Sequence, residues 1–597
     1  MANAATNNGA KRGAAEDTRL GRLAGWCFDH RRMVLGLWLV ALVVSGIASG
    51  AVGTQFSNSF GGGGSESARA QTLLQERFPS HSGATVNVVF HADTPLSAPA
   101  NGAKIDSLTG ELSKLPGVAA VAPPDPSQGL RGQTSADGHT AFATVTFDAD
   151  IGNLENAQVA KVVDTARAAD SADLQVEVGG QPVALVEQPE MGSSEIIGIL
   201  AAIVILLVAF GSVIAMGLPI MTALFGLGIG VSLLAFVSHV LDTPSFAPQM
   251  AIMIALGVGI DYALFIVTRH REVLHGGATP RHAAVTALAT SGRAVLFAGS
   301  TVVISLLGMF LLGMSFIYGV AIGAIAAVVM VMLGSITLLP AMLGFAGPSI
   351  DRFGIQRFLH RGEGDVTKTY SYRWSRFVQR RPIALGGAAL LVLLVLAIPL
   401  FSMQQSFSDQ GNDPTSLTTR RAYDLLAAGF GPGFNGPLVV AVDLPSPADK
   451  ATAAKLQAAI QRDPGVAVVA PPQFNDAGNT ATVLVVPKTS PQNVKTEILV
   501  HRLRDQVIPA AVTGTGVEAL VGGITAASVD AAAHLTERLP WVIGGVVLLS
   551  FLLLMSVFRS LVVPLKAAVM NLLSIGAAYG IIVAIFQWGW FKGAIGV

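Results

Sequence analysis

The stretch Ala255-Leu-Gly-Val-Gly-Ile-Asp-Tyr-Ala-Leu-Phe265 sets one carboxylate, Asp261, beside one phenol, Tyr262, inside an otherwise apolar, glycine-rich run. From Met250 to Val267 no other residue is charged, and Arg269-His-Arg271 follow directly. This profile predicts a membrane-spanning helix that leaves the bilayer on its cytoplasmic side. A carboxylate near mid-membrane costs about 2.5–3.5 kcal/mol on insertion scales, so it is kept for a task, most often the relay of a proton or ion. The alternative role is a hydrogen bond to a neighbouring helix.

Composition widens that reading to the whole chain. Of 597 residues, 51% are hydrophobic and only 13% charged, against roughly 25% charged in soluble domains. Mean hydropathy is +0.58. A polytopic membrane protein is expected. The net charge of zero leaves no basic excess for nucleic acid. The single cysteine, Cys27, excludes an intrachain disulfide framework, and packing is its expected role.

Runs long enough to cross about 30 Å of hydrocarbon lie near 33–53, 194–211, 215–240, 248–268, 294–313, 316–345, 383–402, 541–558 and 562–586. The first is too long for a signal-peptide core, and a matching run recurs mid-chain, so it reads as a retained span. Lysine and arginine collect before the first span (Lys11, Arg12, Arg19, Arg22, Arg31, Arg32). They collect again after the fourth (Arg269, Arg271, Arg281, Arg293) and in the 347–381 segment. These three places fall on one side if the spans alternate, so the rule that cytoplasmic loops are cation-rich puts the N-terminus in the cytoplasm.

The organisation expected is a cytoplasmic segment (1–32), a first span (33–53) and an outside domain (54–193). A five-span bundle (194–346), a cytoplasmic linker (347–382) and a seventh span (383–402) follow. A second outside domain (403–540), two spans (541–586) and an end segment (587–597) complete the chain.

The chain is duplicated. Pro116-Gly-Val-Ala-Ala-Val-Ala-Pro-Pro124 returns 348 residues later as Pro464-Gly-Val-Ala-Val-Val-Ala-Pro-Pro472. Phe210-Gly-Ser212 matches Phe558-Arg-Ser560 at the same offset, and Arg31-Arg32 matches Arg380-Arg381 at 349. Val178-Gly-Gly180 and Val521-Gly-Gly523 close the two outside domains. Parallel repeats are a transporter architecture with coupling sites between the halves near the midplane. The offset puts the partner of Asp261 beyond Val597, so the second copy is expected to lack its last three helices.

Each outside domain reads β-α-β-β-α-β, the split βαβ order of ferredoxin-like folds. In the first, strands are expected at Thr85–Phe90, Val118–Val121, Thr140–Phe147 and Leu174–Val178, with helices at Ile105–Leu115 and Asn156–Ala169. In the second, strands are expected at Pro437–Leu444, Val466–Val469, Thr480–Val486 and Val517–Val521. Its helices are expected at Ala451–Gln461 and Val494–Val507. Such domains suit either passing a substrate or docking a protein.

With one span plus five, then the pattern begun again, the chain closely resembles the resistance-nodulation-division (RND) superfamily. Gly257-Val-Gly-Ile-Asp-Tyr-Ala-Leu-Phe265 and the compact outside domains are similar to the MMPL lipid exporters of actinobacteria. The resemblance runs from about Arg22 to the end of the chain. It implies an RND-like tandem-repeat membrane protein with two extracytoplasmic ferredoxin-like α+β domains in a bacterial cytoplasmic membrane. The activity it implies is proton-driven export of lipids or other hydrophobic molecules, without enzymatic chemistry, cofactor or metal.

Asp261 and Tyr262 carry over as relay residues and Phe265 as their packing neighbour. Ser300 or Thr301 could supply the hydroxyl that family members often place on the fifth helix. Independently of the resemblance, burial is expected to raise the aspartate's pKa, and Tyr262 to donate a hydrogen bond to it. Gly257 and Gly259, like Gly226, Gly228 and Gly230, would let helices approach closely. The partners implied are a hydrophobic substrate, protons and membrane lipids, with further copies of the chain or accessory proteins left open. Competing activities are multidrug efflux, a SecDF-like accessory role in protein translocation, and a non-transporting scaffold of sterol-sensing type.

Other signals carry less. Gly226-Leu-Gly-Ile-Gly230 lies inside an apolar run with no preceding strand, and no phosphate-binding Gly-x-x-x-x-Gly-Lys-Ser/Thr occurs. The eleven histidines lack metal-ligand spacing, with His270 and His275 expected in a solvated loop. Gly61–Gly64 reads as a flexible connector, and residues 350–360 as an amphipathic helix or an ordinary loop.

Overall fold

Where hydrocarbon replaces water, every backbone N–H and C=O must be paired within its own segment, so long apolar runs fold as helices. The computed structural model describes residues 18–56, 64–78, 84–125, 133–149, 154–187, 193–351, 370–446 and 449–590. Most of the amphipathic segment expected at 350–360, and Gly61–Gly63 of the connector, lie outside them.

The first copy runs through α1 (Arg19–Asp29), α2 (Arg31–Val52), α3 (Glu66–Arg77), β1 (Thr85–His91), α4 (Pro99–Leu112), β2 (Val118–Ala122), β3 (Thr140–Phe147), α5 (Asn156–Ala168) and β4 (Gln175–Gly179). It continues with α6 (Ser193–Phe210), α7 (Val213–Val237), α8 (Ala247–His275), α9 (Pro280–Leu307) and α10 (Ser315–Ala346). The second copy begins with α11 (Tyr370–Arg380), α12 (Pro382–Ala397), α13 (Thr418–Phe430), β5 (Leu438–Asp443), α14 (Lys450–Gln461), β6 (Val466–Val469) and β7 (Gln473–Phe474). It ends with β8 (Thr480–Pro487), α15 (Val494–Arg502), β9 (Glu518–Gly522), α16 (Ile524–Phe558) and α17 (Val562–Phe586).

Contacts divide the chain into two units: Met1–Phe56 with Ser194–Gln405 and Arg538–Val597, and Ser57–Ser193 with Ser406–Glu537. Among the described residues eight helices are long and apolar enough to cross a membrane, and the apolar helix Gly198–Phe210 is shorter. Several outrun their hydrophobic stretch. At 1.5 Å per residue, the 29 residues of α8 span about 43 Å, so Arg269 and Arg271 sit on helix rather than loop. Only residues 276–279 separate α8 from α9, whose N-terminus is capped by the Thr279 hydroxyl, an acceptor from His282 N–H.

The helical unit packs through small residues. A Cβ on Gly226 would lie 2.6 Å from Val331 Cα, and one on Gly230 2.5 Å from Ala327 Cα, so α7 and α10 touch backbone to backbone. Gly228 faces the other way, towards Leu42 of α2. Cys27 is buried with Val34 and Ala341; desolvation pushes its thiol up to about 11, which fits an inert packing role.

In the other unit both sheets have the ferredoxin-like strand order, β2-β3-β1-β4 and β6-β8-β5-β9, with β7 added beside β8. All the strand pairings are antiparallel. Strand residues alternate between faces. Val86, Val88 and Phe90 meet the helices of their own domain. Val89 and Phe142 face the other way and are covered by Ala422 and Leu426 of α13, which comes from the second copy. In return α3, from the first copy, lays Ala70 on Ala441 and Leu520 of the second sheet. The sequence reading missed both of these exchanged helices.

The repeated Val-Gly-Gly motif marks the two seats. A Cβ on Gly179 would sit 3.1 Å from Ala422 Cβ, and one on Gly522 2.8 Å from Ala70 Cβ. The next glycines, Gly180 (φ 124°) and Gly523 (φ 91°), turn the chain in a conformation that side chains avoid. The helix N-termini are bound in related ways. Val178 N–H donates to Thr418 Oγ1 (2.7 Å), and Thr418 N–H donates to Glu187 (3.0 Å). In the other seat Val521 N–H donates to Glu66 (2.7 Å) and Ser67 N–H to Asp530 (3.1 Å).

Each seat also holds an ion pair. Arg421 donates to both oxygens of Glu177, at 2.5 and 3.0 Å, and Arg504 grips Asp530. Burial pushes Glu177 up, but bonds from Arg421, Thr418 and Gln175 outweigh it and hold the carboxyl below its ordinary value.

Two outcomes follow from the seats. Ala422→Leu overfills a fully buried contact and should destabilise the sheet-bearing unit by about 1–3 kcal/mol, read as a lower thermal midpoint of the purified chain; an unchanged midpoint would refute the seat. A carboxylate whose pKa is depressed by folding contributes stability above its unfolded value, and loses it as pH falls through the folded value. Glu177→Gln should therefore shrink the loss of midpoint on acidification below the ordinary glutamate range. An acid response identical to the parent's would exclude the pair as a contributor.

Candidate functional site

The rotation of α8 decides where its polar residues point. Ala251 and Ala255 pack against Ala327 and Val331 of α10, and a Cβ on Gly259 would collide with Val331 and with Ala223 of α7. Residues four apart share a helix face, so this seam fixes the buried side of α8. Tyr262 lies towards that side. It is 6% exposed and belongs to the core cluster of this unit; a Cβ on Gly299 of α9 would lie 3.4 Å from its ring and 2.5 Å from Met332 Sδ of α10.

Asp261 lies on the other side. Successive helical residues diverge by about 100°, and Asp261 is exposed on a face shared with Met253, Gly257, Phe265 and Thr268. Among the described residues no hydrogen bond or ion pair to Asp261 is found, and none joins it to Tyr262. The expected bond from the phenol to the carboxylate is therefore corrected: neighbours in sequence face different surroundings.

The other expected residues divide likewise. Phe265 shares the Asp261 face, one turn further along α8. Gly259 is a packing glycine, whereas Gly257 is not, because a Cβ there would meet nothing within 4 Å. Ser300 donates to the Leu296 carbonyl (2.7 Å) and Thr301 to the Phe297 carbonyl (3.0 Å). Both hydroxyls are occupied by their own helix and neither bonds Asp261.

Towards the far end of α8 lies a cluster the sequence reading missed. Arg271 donates to Asp351 through Nε and Nη2, at 2.9 and 2.6 Å, and through Nη1 to the Phe210 carbonyl at 2.9 Å. His275 Nε2 lies 2.7 Å from the second Asp351 oxygen, and Ser212 Oγ donates to the Ile350 carbonyl at 2.6 Å. The ends of α6, α8 and α10 are thus joined around one carboxylate. His270, expected in a solvated loop, is instead fully buried on α8. A one-turn shift in helix length separates those two outcomes, and composition does not resolve it.

No group of three or more potential metal ligands is found among the described residues. A pocket of about 360 Å³ in the sheet-bearing unit is lined by residues that include Glu66, Asp530, His534 and Glu537.

Asp351→Asn should weaken the cluster by about 1–2 kcal/mol, between a surface ion pair and a buried charged hydrogen bond. A lower thermal midpoint in detergent is the expected reading, and a midpoint equal to the parent's would count against the cluster as a structural tie.

Comparison with known proteins gives the family. The MMPL family pattern matches residues 59–385 and 421–592. Membrane protein YdfJ of Bacillus subtilis is 35% identical over 95% of this chain and 77% of its own length. The mycolic acid-containing lipids exporter MmpL11 of Mycolicibacterium smegmatis is 30% identical over 96% of the chain and 61% of its own. The trehalose monomycolate exporter MmpL3 of Mycobacterium tuberculosis is 25% identical over 67% and 45%. The chain thus spans about three quarters of the first relative and less than two thirds of the other two. With eight long apolar helices among the described residues and two ferredoxin-like sheets, this multi-pass membrane protein belongs to the MMPL family of the RND superfamily.

Proposed function

We propose that the chain works as a proton-motive-force-driven transporter that exports lipids or other hydrophobic molecules across or from the cytoplasmic membrane. The carrying observation is Asp261, the one acidic residue in the apolar core of α8, held on a defined face by the small-residue seam. Two of the relatives are named as exporters of mycolic acid-containing lipids and of trehalose monomycolate. That supports a lipid-like cargo over a protein one, and over a scaffold that moves nothing.

On this reading Asp261 takes up a proton from the outside and releases it to the cytoplasm, where the N-terminus lies. Protonation removes a charge from apolar surroundings, a local change that biases a two-state packing of the helices. The membrane potential adds about 2.3 kcal/mol per elementary charge per 100 mV, enough to bias that equilibrium. Tyr262, anchored between α9 and α10, gives the relay its rigid side, and Phe265 shields the carboxylate one turn away. Ser300 and Thr301 join the relay only by releasing their present bonds to the backbone.

Asp261→Asn keeps the size of the side chain and abolishes its titration. Proton-coupled export of a fluorescent lipid from membrane vesicles should fall to background, with the protein still inserted and its thermal midpoint unchanged. Export at the parental rate would remove the relay. Blocked secretion of proteins with normal lipid export in a deletion strain would favour the translocation accessory instead.

A further inference from the structure

The two copies differ most tellingly just before their first spans. In copy one, α1 buries Gly21, Ala24, Gly25, Cys27 and Phe28. The approach is close: a Cβ on Gly25 would lie 2.9 Å from Arg281 Nη2 of α9, and Asp29 receives Arg281 in an ion pair at 3.0 Å. The offset that aligns Arg31-Arg32 with Arg380-Arg381 sets those five buried positions opposite Tyr370, Arg373, Trp374, Arg376 and Phe377 of α11. Four of the five have gained bulk or a cation, and Asp29 has become Val378. A helix so altered cannot repeat the close seating of α1.

Its own pattern fits another surface. Tyr370, Trp374, Phe377 and Val378 recur at i, i+4, i+7 and i+8, an apolar stripe. Arg373, Arg376 and Arg380 recur at i, i+3 and i+7 along one flank of that stripe, and no acidic residue occurs from 370 to 381. Arg381 then caps α12, and the apolar run begins at Pro382. Aromatic residues beside a basic flank at the mouth of a span match the boundary between headgroups and acyl chains.

We propose that α11 is an interfacial helix that binds anionic lipid. It lies in the leaflet that α12 enters, with Trp374 and Phe377 among acyl chains and Arg373, Arg376 and Arg380 on phosphate headgroups. Juxtamembrane arginines attract anionic lipid to such a surface. This holds whatever the cargo, so it stands apart from the proton-relay reading.

The test uses the full chain in vesicles of mixed phosphatidylglycerol and phosphatidylcholine, with only one lipid brominated at a time. Subtracting the Trp374→Phe variant isolates the fluorescence of Trp374, and phenylalanine keeps the position aromatic. Brominated phosphatidylglycerol should quench this signal more strongly than brominated phosphatidylcholine. The difference should vanish in the triple variant Arg373→Gln, Arg376→Gln, Arg380→Gln. Equal quenching by both lipids in the parent chain would overturn the anionic preference, and no quenching by either would show that Trp374 is covered by protein or water.

Discussion

The seam of small residues between α7, α8 and α10 is the constraint on which the helical unit depends. Water excluded from hydrocarbon supplies no driving force between two helices already in lipid, so association rests on close packing. Ala251, Ala255 and Gly259 let α8 approach Ala327 and Val331, while Gly226 and Gly230 bring α7 onto the same stretch of α10. Three helices thus share one contact zone, and the rotation of α8 has no freedom left. Tyr262 is turned inward and Asp261 outward as a consequence, not as a separate design.

Much of this was legible in the residues. Strand order and the ends of the ferredoxin-like elements followed from alternating valines and from the split βαβ pattern; Val466–Val469 and Thr140–Phe147 stand where expected. The small-residue character of Gly226, Gly230 and Gly259 was legible too, because glycine in an apolar helix has few other uses. The facing of Asp261 was not. Every residue near it is apolar on all sides, so hydropathy has no phase in this helix and cannot say which side is covered. The distinction between Gly257 and Gly259 fails for the same reason.

The exchanged helices were illegible for a different one. α3 and α13 are short stretches whose small apolar set, Ala70 with Leu73 and Leu74 or Ala422 with Leu426, finds its counterpart more than 200 residues away. Local periodicity finds a helix but not its partner. The trace that was available, the Val-Gly-Gly repeat, was read as a marker of duplication. Its physical meaning is steric: one glycine admits an alanine of the visiting helix, and the next reverses the chain.

That mutual loan of helices bears on how the protein is made. Synthesis runs from the N-terminus, and domains generally form as their residues emerge. The first sheet is complete at Gly179, yet the helix that covers Val89 and Phe142 begins only at Thr418. Until then six apolar helices must be threaded into the bilayer while one face of a finished sheet stays bare. Maturation of the early domain is thereby tied to delivery of the late one, and a ribosome that stalls between them leaves a sticky, half-clad intermediate.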